Sequence, residues 1–223
     1  MINKIKSLHI AVDGSSASGK TTASKIISKR FKLKLLSSGK LYRYIAYKVI
    51  KNKNIYNNKI IKKFSKSISD KQLNSKELYN QNVTSLSSIL AKKKYIRNSL
   101  KNYQKNFIKN NKFVIIEGRD IASKILPNAD IKLFFKCSIR KKALRRFKEF
   151  KKNNSSIKLK DVEKALKQRD FSDKNRKESP LLFVKGAVLV DTTNLTIKQM
   201  ESKIVKLIRG KIKKKLDGNI QRT

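Results

Sequence analysis

The sequence predicts an α/β fold: a five-stranded parallel sheet flanked by helices, with a helical insertion and a short lid. Three observations predict it. Short apolar runs alternate with stretches of helical periodicity along the chain. The first run leads into Gly14-Ser15-Ser16-Ala17-Ser18-Gly19-Lys20-Thr21, which fits the G-x-x-x-x-G-K-[ST] pattern of a phosphate-binding loop. A later run ends in Glu117-Gly118-Arg119-Asp120, at the strand end where open parallel sheets place their ligands.

Leu8-His9-Ile10-Ala11-Val12 reads as a buried strand, and Thr21 opens a helix with Ala23, Ile26, Ile27 and Phe31 at helical spacing. Between them lies the loop. Its glycines let the backbone wrap a polyphosphate, and the first N–H groups of the helix have no partner inside it, so they face the anion. Gly14 to Thr22 is therefore the expected nucleotide-phosphate-binding segment: Gly14, Ser15, Ser16, Ala17, Ser18, Gly19, Lys20, Thr21 and Thr22. Lys20 places a full charge near the β- and γ-phosphates. The Thr21 hydroxyl ligates Mg²⁺, with Asp13 or Glu117 holding its waters. Chance gives roughly 0.006 such matches in a chain of this composition, so the loop is read as real.

Leu33 to Leu36 reads as a second strand. Ser37-Ser38-Gly39 opens a helix through Leu41, Ile45, Ala46 and Val49, with Arg43 one turn in. Residues 51–111 form a Lys/Asn-rich insertion whose better helical segments are Asp70 to Tyr79, Val83 to Leu90 and Tyr95 to Ile108, with no strong strand. Phe113 to Ile116 and Ile131 to Phe135 are strands. Ser138 caps a helix carrying Lys142, Arg145 and Arg146, and residues 151–160 are a polar loop. Asp161 caps a helix expected to end around Arg169-Asp170-Phe171. If it continues, Arg169, Asp173 and Arg176 share one face, either as a clamp for a phosphate and a sugar or base, or as a surface salt-bridge ladder. Ala187 to Val190 is the last strand, Asp191 to Asn194 a turn and Thr196 to Arg209 the closing helix. Gly210 to Thr223 is a basic, loosely held tail. The expected organisation is one domain: a core of about 1–50, 112–150 and 185–210, an insertion of about 51–111, a lid of about 151–178 and a tail of 211–223.

Composition narrows the class. A length of 223 residues suits one domain with insertions. The single cysteine, Cys137, cannot form an internal disulfide; it reads as a buried thiol in a reducing compartment. The single histidine, His9, reads as a packed strand residue. No apolar run reaches the ~20 residues that span a bilayer, and the polar segment from Met1 to Lys6 does not read as a signal peptide. The expectation is a cytoplasmic protein. The net charge of +42 is carried by 46 Lys and 11 Arg against 15 acids, and the lysines are spread along the chain. Dispersal without Trp argues for compositional drift rather than a nucleic-acid interface. Against such a lysine background, an arginine marks a position that needs a planar, bidentate fork.

With these residues in hand, the chain resembles the bacterial cytidylate kinases of the nucleoside-monophosphate kinase family, from about Ile10 to Ile204. The segments that carry the likeness are the phosphate loop, Leu35-Leu36-Ser37-Ser38-Gly39-Lys40-Leu41-Tyr42-Arg43, Glu117-Gly118-Arg119-Asp120, Lys142-Ala143-Leu144-Arg145-Arg146, Arg169-Asp170 through Asp173 and Arg176, and Asp191-Thr192-Thr193. The chain departs from the pattern in several places. Ser37 stands where the family has an acid, Glu117 where it has Asp and Lys142 where it has Arg. The insertion looks short and shows no β-ribbon.

The resemblance implies a P-loop kinase that phosphorylates CMP and dCMP with ATP and Mg²⁺, acting as a monomer without nucleic-acid or membrane partners. It implies an acceptor site of Ser38, Arg43, Arg119, Asp120, Arg169, Asp173 and Arg176, with Ser88 and Arg97 reading the cytosine edge and Asp173 and Arg176 completing that pocket. Lys20, Arg145, Arg146 and Arg169 are the expected catalytic cations, the three arginines belonging to a lid. The other readings are a kinase for another monophosphate, such as UMP or AMP, and a nucleic-acid-binding ATPase.

Overall fold

The structure, a computed structural model, describes residues 5–151 and 157–220, with side chains through Asp217. Its elements run β1 (Leu8–Gly14), α1 (Lys20–Arg30), β2 (Lys34–Ser37), α2 (Ser38–Lys51), α3 (Asn58–Lys66), α4 (Asp70–Leu73), a 3₁₀ turn (Lys76–Tyr79), α5 (Gln81–Leu90), α6 (Lys94–Lys109), β3 (Phe113–Gly118), a π-helical turn (Ile121–Ile125), β4 (Ile131–Lys136), α7 (Ile139–Lys151), α8 (Leu159–Asn175), β5 (Val188–Asp191) and α9 (Ile197–Ile220). The strands form one parallel sheet in the order β2-β3-β1-β4-β5. The expected α/β class is therefore correct. By internal contacts the chain divides into two compact units. The first comprises Met1–Leu35, Lys112–Asn175 and Ser179–Thr223, and the second Leu36–Asn111 and Arg176–Glu178. The division falls at Leu36, so α2 goes with the insertion rather than with the residues before position 51.

In the first unit β1 is central. Its residues pair with β3 from Leu8↔Phe113 to Asp13↔Gly118 and with β4 from Ile10↔Ile131 to Gly14↔Phe135. A strand covered on both faces needs a nearly continuous apolar run, and Leu8, Ile10, Ala11 and Val12 are all fully buried. Around them pack Ile27, Ile115, Leu133, Phe135 and Val190, and α9 adds a stripe at i, i+4, i+8 and i+12: Met200, Ile204, Ile208 and Ile212. Each such side chain contributes roughly 1.5–3 kcal/mol of burial. Helices α7 and α8 carry a smaller cluster of Ala143, Val162 and Leu166.

The second unit turns its Asn- and Ser-rich composition into helix starts. Asn57 accepts the Ile60 N–H at 2.9 Å, Ser75 the Glu77 N–H at 3.2 Å and Asn80 the Val83 N–H at 2.8 Å. Gln72 reaches back to the Ser69 N–H at 3.0 Å. Each contact satisfies a backbone donor that the helix leaves open. Within this unit Leu41, Tyr44, Ile45, Val49, Ile61, Leu78, Leu90, Ile96 and Leu100 are buried.

Several expected boundaries move. Helix α3 was hidden in the Lys/Asn-rich stretch, although Ile61 is fully buried on it. Helix α8 begins at Leu159, which puts Asp161 in its first turn rather than at its cap, and it runs on to Asn175. Arg169 and Asp173 therefore lie on the helix, and Arg176 just beyond it. Helix α9 continues past Gly210 to Ile220, so most of the expected loose tail is helical. The reason is visible: Ile212 extends the buried stripe, and Lys215 donates to the Ser7 carbonyl at 3.2 Å and to Asp130 at 2.5 Å. Part of the expected 151–160 loop and lid, residues 152–156, and the last tail residues, 221–223, lie outside the described residues.

Candidate active site

The loop after β1 is built as the motif requires. Gly14 has φ 154°, and a Cβ there would sit 2.5 Å from the Phe135 carbonyl oxygen, so only glycine lets β1 turn beside β4. Gly19, at φ 87°, starts α1. Ala17 also holds a positive φ, 55°. Ser16, Ser18 and Lys20 are buried, whereas Thr21 and Thr22 face solvent.

Two acids were expected to compete for one role, and the structure separates them. Both Asp13 oxygens are taken by backbone: Ile121 N–H at 2.8 Å and Ala122 N–H at 2.7 Å. Burial pushes Asp13 up to about 6, against these two bonds. Asp13 thus fixes the π-helical turn after β3. Glu117 instead receives the Thr21 hydroxyl, at 3.1 and 3.2 Å to its two oxygens. The residue that can share a cation with Thr21 is Glu117.

Lys20 donates to the Ser15 carbonyl at 3.0 Å. Its burial, and after that the nearby Arg119 charge, lower it to about 7. This is an ammonium poised to gain from an incoming anion. Beside it, Arg119 donates to Asp173 at 2.8 Å. Burial opposes the Arg119 charge, and the Asp173 carboxylate more than offsets it, holding Arg119 above its ordinary value. Asp120 is buried at the end of the same strand. The β3 end is therefore linked to α8 by an ion pair.

The expected lid arginines behave differently from one another. Arg145 donates to the Thr192 hydroxyl and carbonyl at 3.1 and 2.8 Å, and to Cys137 Sγ at 3.4 Å. Thr192 in turn donates to the Ser18 carbonyl at 2.9 Å, so Arg145 is tied to the loop through one hydroxyl. Arg146 lies on Glu149 at 2.8 Å and over the Phe150 ring, along α7 itself. Arg169 lies on α8, on the turn before Asp173.

In the second unit, Ser38 is buried at the start of α2. Arg43 stacks over Tyr79 at 4.8 Å. Arg97 is buried over Tyr42 at 5.4 Å and donates to the Ala91 carbonyl at 3.0 Å. Ser88 donates back to the Thr84 carbonyl at 3.3 Å.

Sequence reasoning gave no role to two residues that touch the loop directly or through a partner. Thr192 read as part of a turn and of a segment carrying the resemblance, with no role of its own, although a Thr at a strand's C-terminal end was the available signal. Asp170 read as a neighbour of Arg169. Its carboxylate accepts the Ser16 N–H at 3.3 Å and also pairs with Lys142. Lys142, buried, donates to Ser15 Oγ at 3.3 Å.

Comparison with known proteins adds the chemistry this geometry serves. Residues 10–210 match the family described as cytidylate kinase. The chain is 36% identical to the cytidylate kinase of Fusobacterium nucleatum over 220 residues, covering 92% of this chain and 97% of that one. It is 35% identical to the cytidylate kinase of Phytoplasma mali over 236 residues, covering 96% and 99%. A solved structure of an uncharacterized protein from Eubacterium ventriosum shares the fold, with a TM-score of 0.51 at 14% identity over 91% of this chain and 98% of that one. A phosphate loop closed by Glu117, an Arg119–Asp173 pair and a match along nearly the whole length leave one assignment: this chain belongs to the cytidylate kinase family.

Proposed function

We propose that the chain transfers the terminal phosphoryl group of ATP to CMP and dCMP: ATP + CMP → ADP + CDP, by direct in-line displacement. The observation that carries the reading is the family match over residues 10–210, laid on a phosphate loop whose Lys20 is buried and whose Thr21 meets Glu117. An oxygen of the acceptor phosphate bonds to the γ-phosphorus as the β–γ bridging bond breaks, and the electron pair leaves on ADP. The acceptor phosphate is already an anion at neutral pH, so no general base is needed. The protein positions the two nucleotides and offsets charge on the transferring group.

Each proposed group has a task. The N–H groups of Ser15 to Thr22 and the Lys20 ammonium hold the donor. The Thr21 hydroxyl and the Glu117 carboxylate are hard oxygen donors and suit Mg²⁺. Among the described residues no cluster of three or more His, Cys, Asp or Glu could cage a metal, which fits a cation shared with phosphates and water. When bound, Mg²⁺ offsets charge on the β- and γ-phosphates. The residues proposed for the acceptor are Ser38, Arg43, Ser88, Arg97, Arg119, Asp120, Arg169, Asp173 and Arg176. Arg145, Arg146 and Arg169 are the cations assigned to the transferring group. Among the described residues no helix is long and apolar enough to cross a membrane. The proposal is a cytoplasmic enzyme that works as a monomer on nucleotides in solution.

The test is ADP formation from ATP and Mg²⁺ with CMP, dCMP, UMP, AMP and dTMP offered one at a time. Fast turnover with CMP and dCMP alone is expected. Faster turnover with another monophosphate would keep the donor site and discard the base-reading roles of Ser88, Arg97, Asp173 and Arg176.

A further inference from the structure

The carboxylate of Asp170 is out of place by ordinary electrostatics. A phosphate-binding loop gathers N–H groups and cations to receive anions, yet here an acid from α8 is among its partners. Asp170 Oδ1 accepts the Ser16 N–H at 3.3 Å, and Oδ2 accepts from Lys142 Nζ. Lys142 is only 5% exposed, and its ammonium also donates to Ser15 Oγ at 3.3 Å. One loop amide and one buried cation at the loop rim thus converge on a single carboxylate. Ser16 is itself buried, which limits what else its N–H can reach.

A carboxylate and a phosphate present the same chemistry to such donors: two or more anionic oxygens accepting charge-assisted hydrogen bonds. We propose that Asp170 competes with a phosphate of the donor nucleotide for the Ser16 N–H and the Lys142 ammonium, so that donor binding displaces Asp170 and transfers both groups to the nucleotide. Lys142 is then a donor-binding residue. Asp170 is a positioning residue that holds Lys142 at the loop and sets what a phosphate must overcome. This rests on the kinase reading for its donor, and not on the identity of the acceptor.

The competition has a signature that a structural role lacks. Removing a merely structural acid would leave Lys142 unpaired and weaken anion binding. Removing a competitor strengthens it, because affinity is reduced by the fraction of protein in which the site is held by its own side chain. For Asp170→Asn, the dissociation constants of tripolyphosphate and of MgADP, measured by calorimetry on the full chain without CMP, are expected to fall about fivefold. The gain should largely vanish when Lys142→Gln is the background. Unchanged or weaker binding, or a gain independent of Lys142, would each overturn the proposal. Should Asp170→Asn fail to fold, the wild-type chain still decides. On saturation with tripolyphosphate the side-chain carboxyl ¹³C resonance of Asp170 and the Ser16 amide are expected to shift together, and a stationary Asp170 resonance rules displacement out. Because CMP takes no part, failure here is distinct from failure of the acceptor assignment.

Discussion

The cations around the phosphate loop and the arginines proposed for the acceptor in the second unit are held in different ways. Around the phosphate loop of the first unit, cations meet oxygen: Lys20 on Ser15, Lys142 on Asp170, Arg119 on Asp173 and Arg145 on Thr192. In the second unit Arg43 lies over Tyr79, and Arg97 lies over Tyr42 while its edge donates to the Ala91 carbonyl. The difference has a physical meaning. An oxygen engages the edge of a guanidinium, where its donors lie, and must be exchanged for a ligand. A ring engages the face and fixes the plane while the edge can still hydrogen-bond. A donor site built on exchange suits a polyphosphate that brings many oxygens. A site built on stacking suits recognition of a monophosphate or a base edge by planar forks.

The comparison breaks most visibly at Lys20. Lys20→Met should cut turnover about 10³-fold or more while the fold persists, because on the proposed function the loop loses the cation that holds the donor phosphates. Steady-state kinetics with a thermal melt of the same sample checks both halves. Next come the two acids. Glu117→Gln is expected to lower kcat about 10- to 100-fold and to raise the Mg²⁺ concentration at half-maximal rate, with little change in melting temperature. Asp13→Asn is expected to act on folding: an amide nitrogen would face one of two backbone N–H groups, costing about 1–3 kcal/mol, read as a lower denaturation midpoint. If the two variants exchanged these phenotypes, the assignment of Glu117 to the cation would be wrong. The ring-held side gives smaller effects. Tyr79 is 48% exposed, so Tyr79→Ala should leave stability nearly unchanged yet raise KM for CMP about three- to fivefold through a less ordered Arg43. Tyr79→Phe should restore it, and an unaltered KM in Tyr79→Ala would show that stacking does not position Arg43.

How much of this was legible in the residues depended on whether the constraint is local. The phosphate loop is written in consecutive positions, and Gly14 and Gly19 are demanded by backbone geometry that sequence can signal. The buried strands from Leu8, Phe113 and Ile131 announce themselves as apolar runs. Helix α3 did not, because only Ile61 on it is fully buried and its start depends on the Asn57 cap. The continuation of α9 past Gly210 was invisible because a glycine ordinarily marks an end, whereas Ile212 and the Lys215 contacts to Ser7 and Asp130 hold the helix from outside. The separation of Asp13 from Glu117 was equally hidden. Both close apolar runs, and only the fold brings the Ile121 and Ala122 amides to one of them and Thr21 to the other.

The smallest predicted effect concerns one proton. Burial lowers Lys20 to about 7 from an ordinary value of 10.5. A lowered lysine means that between about 7 and 10.5 the folded protein binds fewer protons than the unfolded chain, so this group's contribution to stability is fully present above 10.5 and is lost as pH falls through 7. Phosphate oxygens reverse the cause, because an anion beside the ammonium favours its charged form. Donor binding should therefore draw a proton onto Lys20 wherever it was neutral. At pH 8 the ADP phosphates have already lost their last proton, whose pKa is about 6, so the uptake is not masked. Calorimetry of MgADP binding in buffers of different ionisation enthalpy should show an uptake approaching one proton at pH 8, about half a proton at pH 7 and little at pH 6. In Lys20→Met the uptake should disappear. Uptake that is independent of pH, or that survives in Lys20→Met, would mean that the oxygen-held cation is already charged before the phosphate arrives, and that the exchange described for the loop does not begin at Lys20.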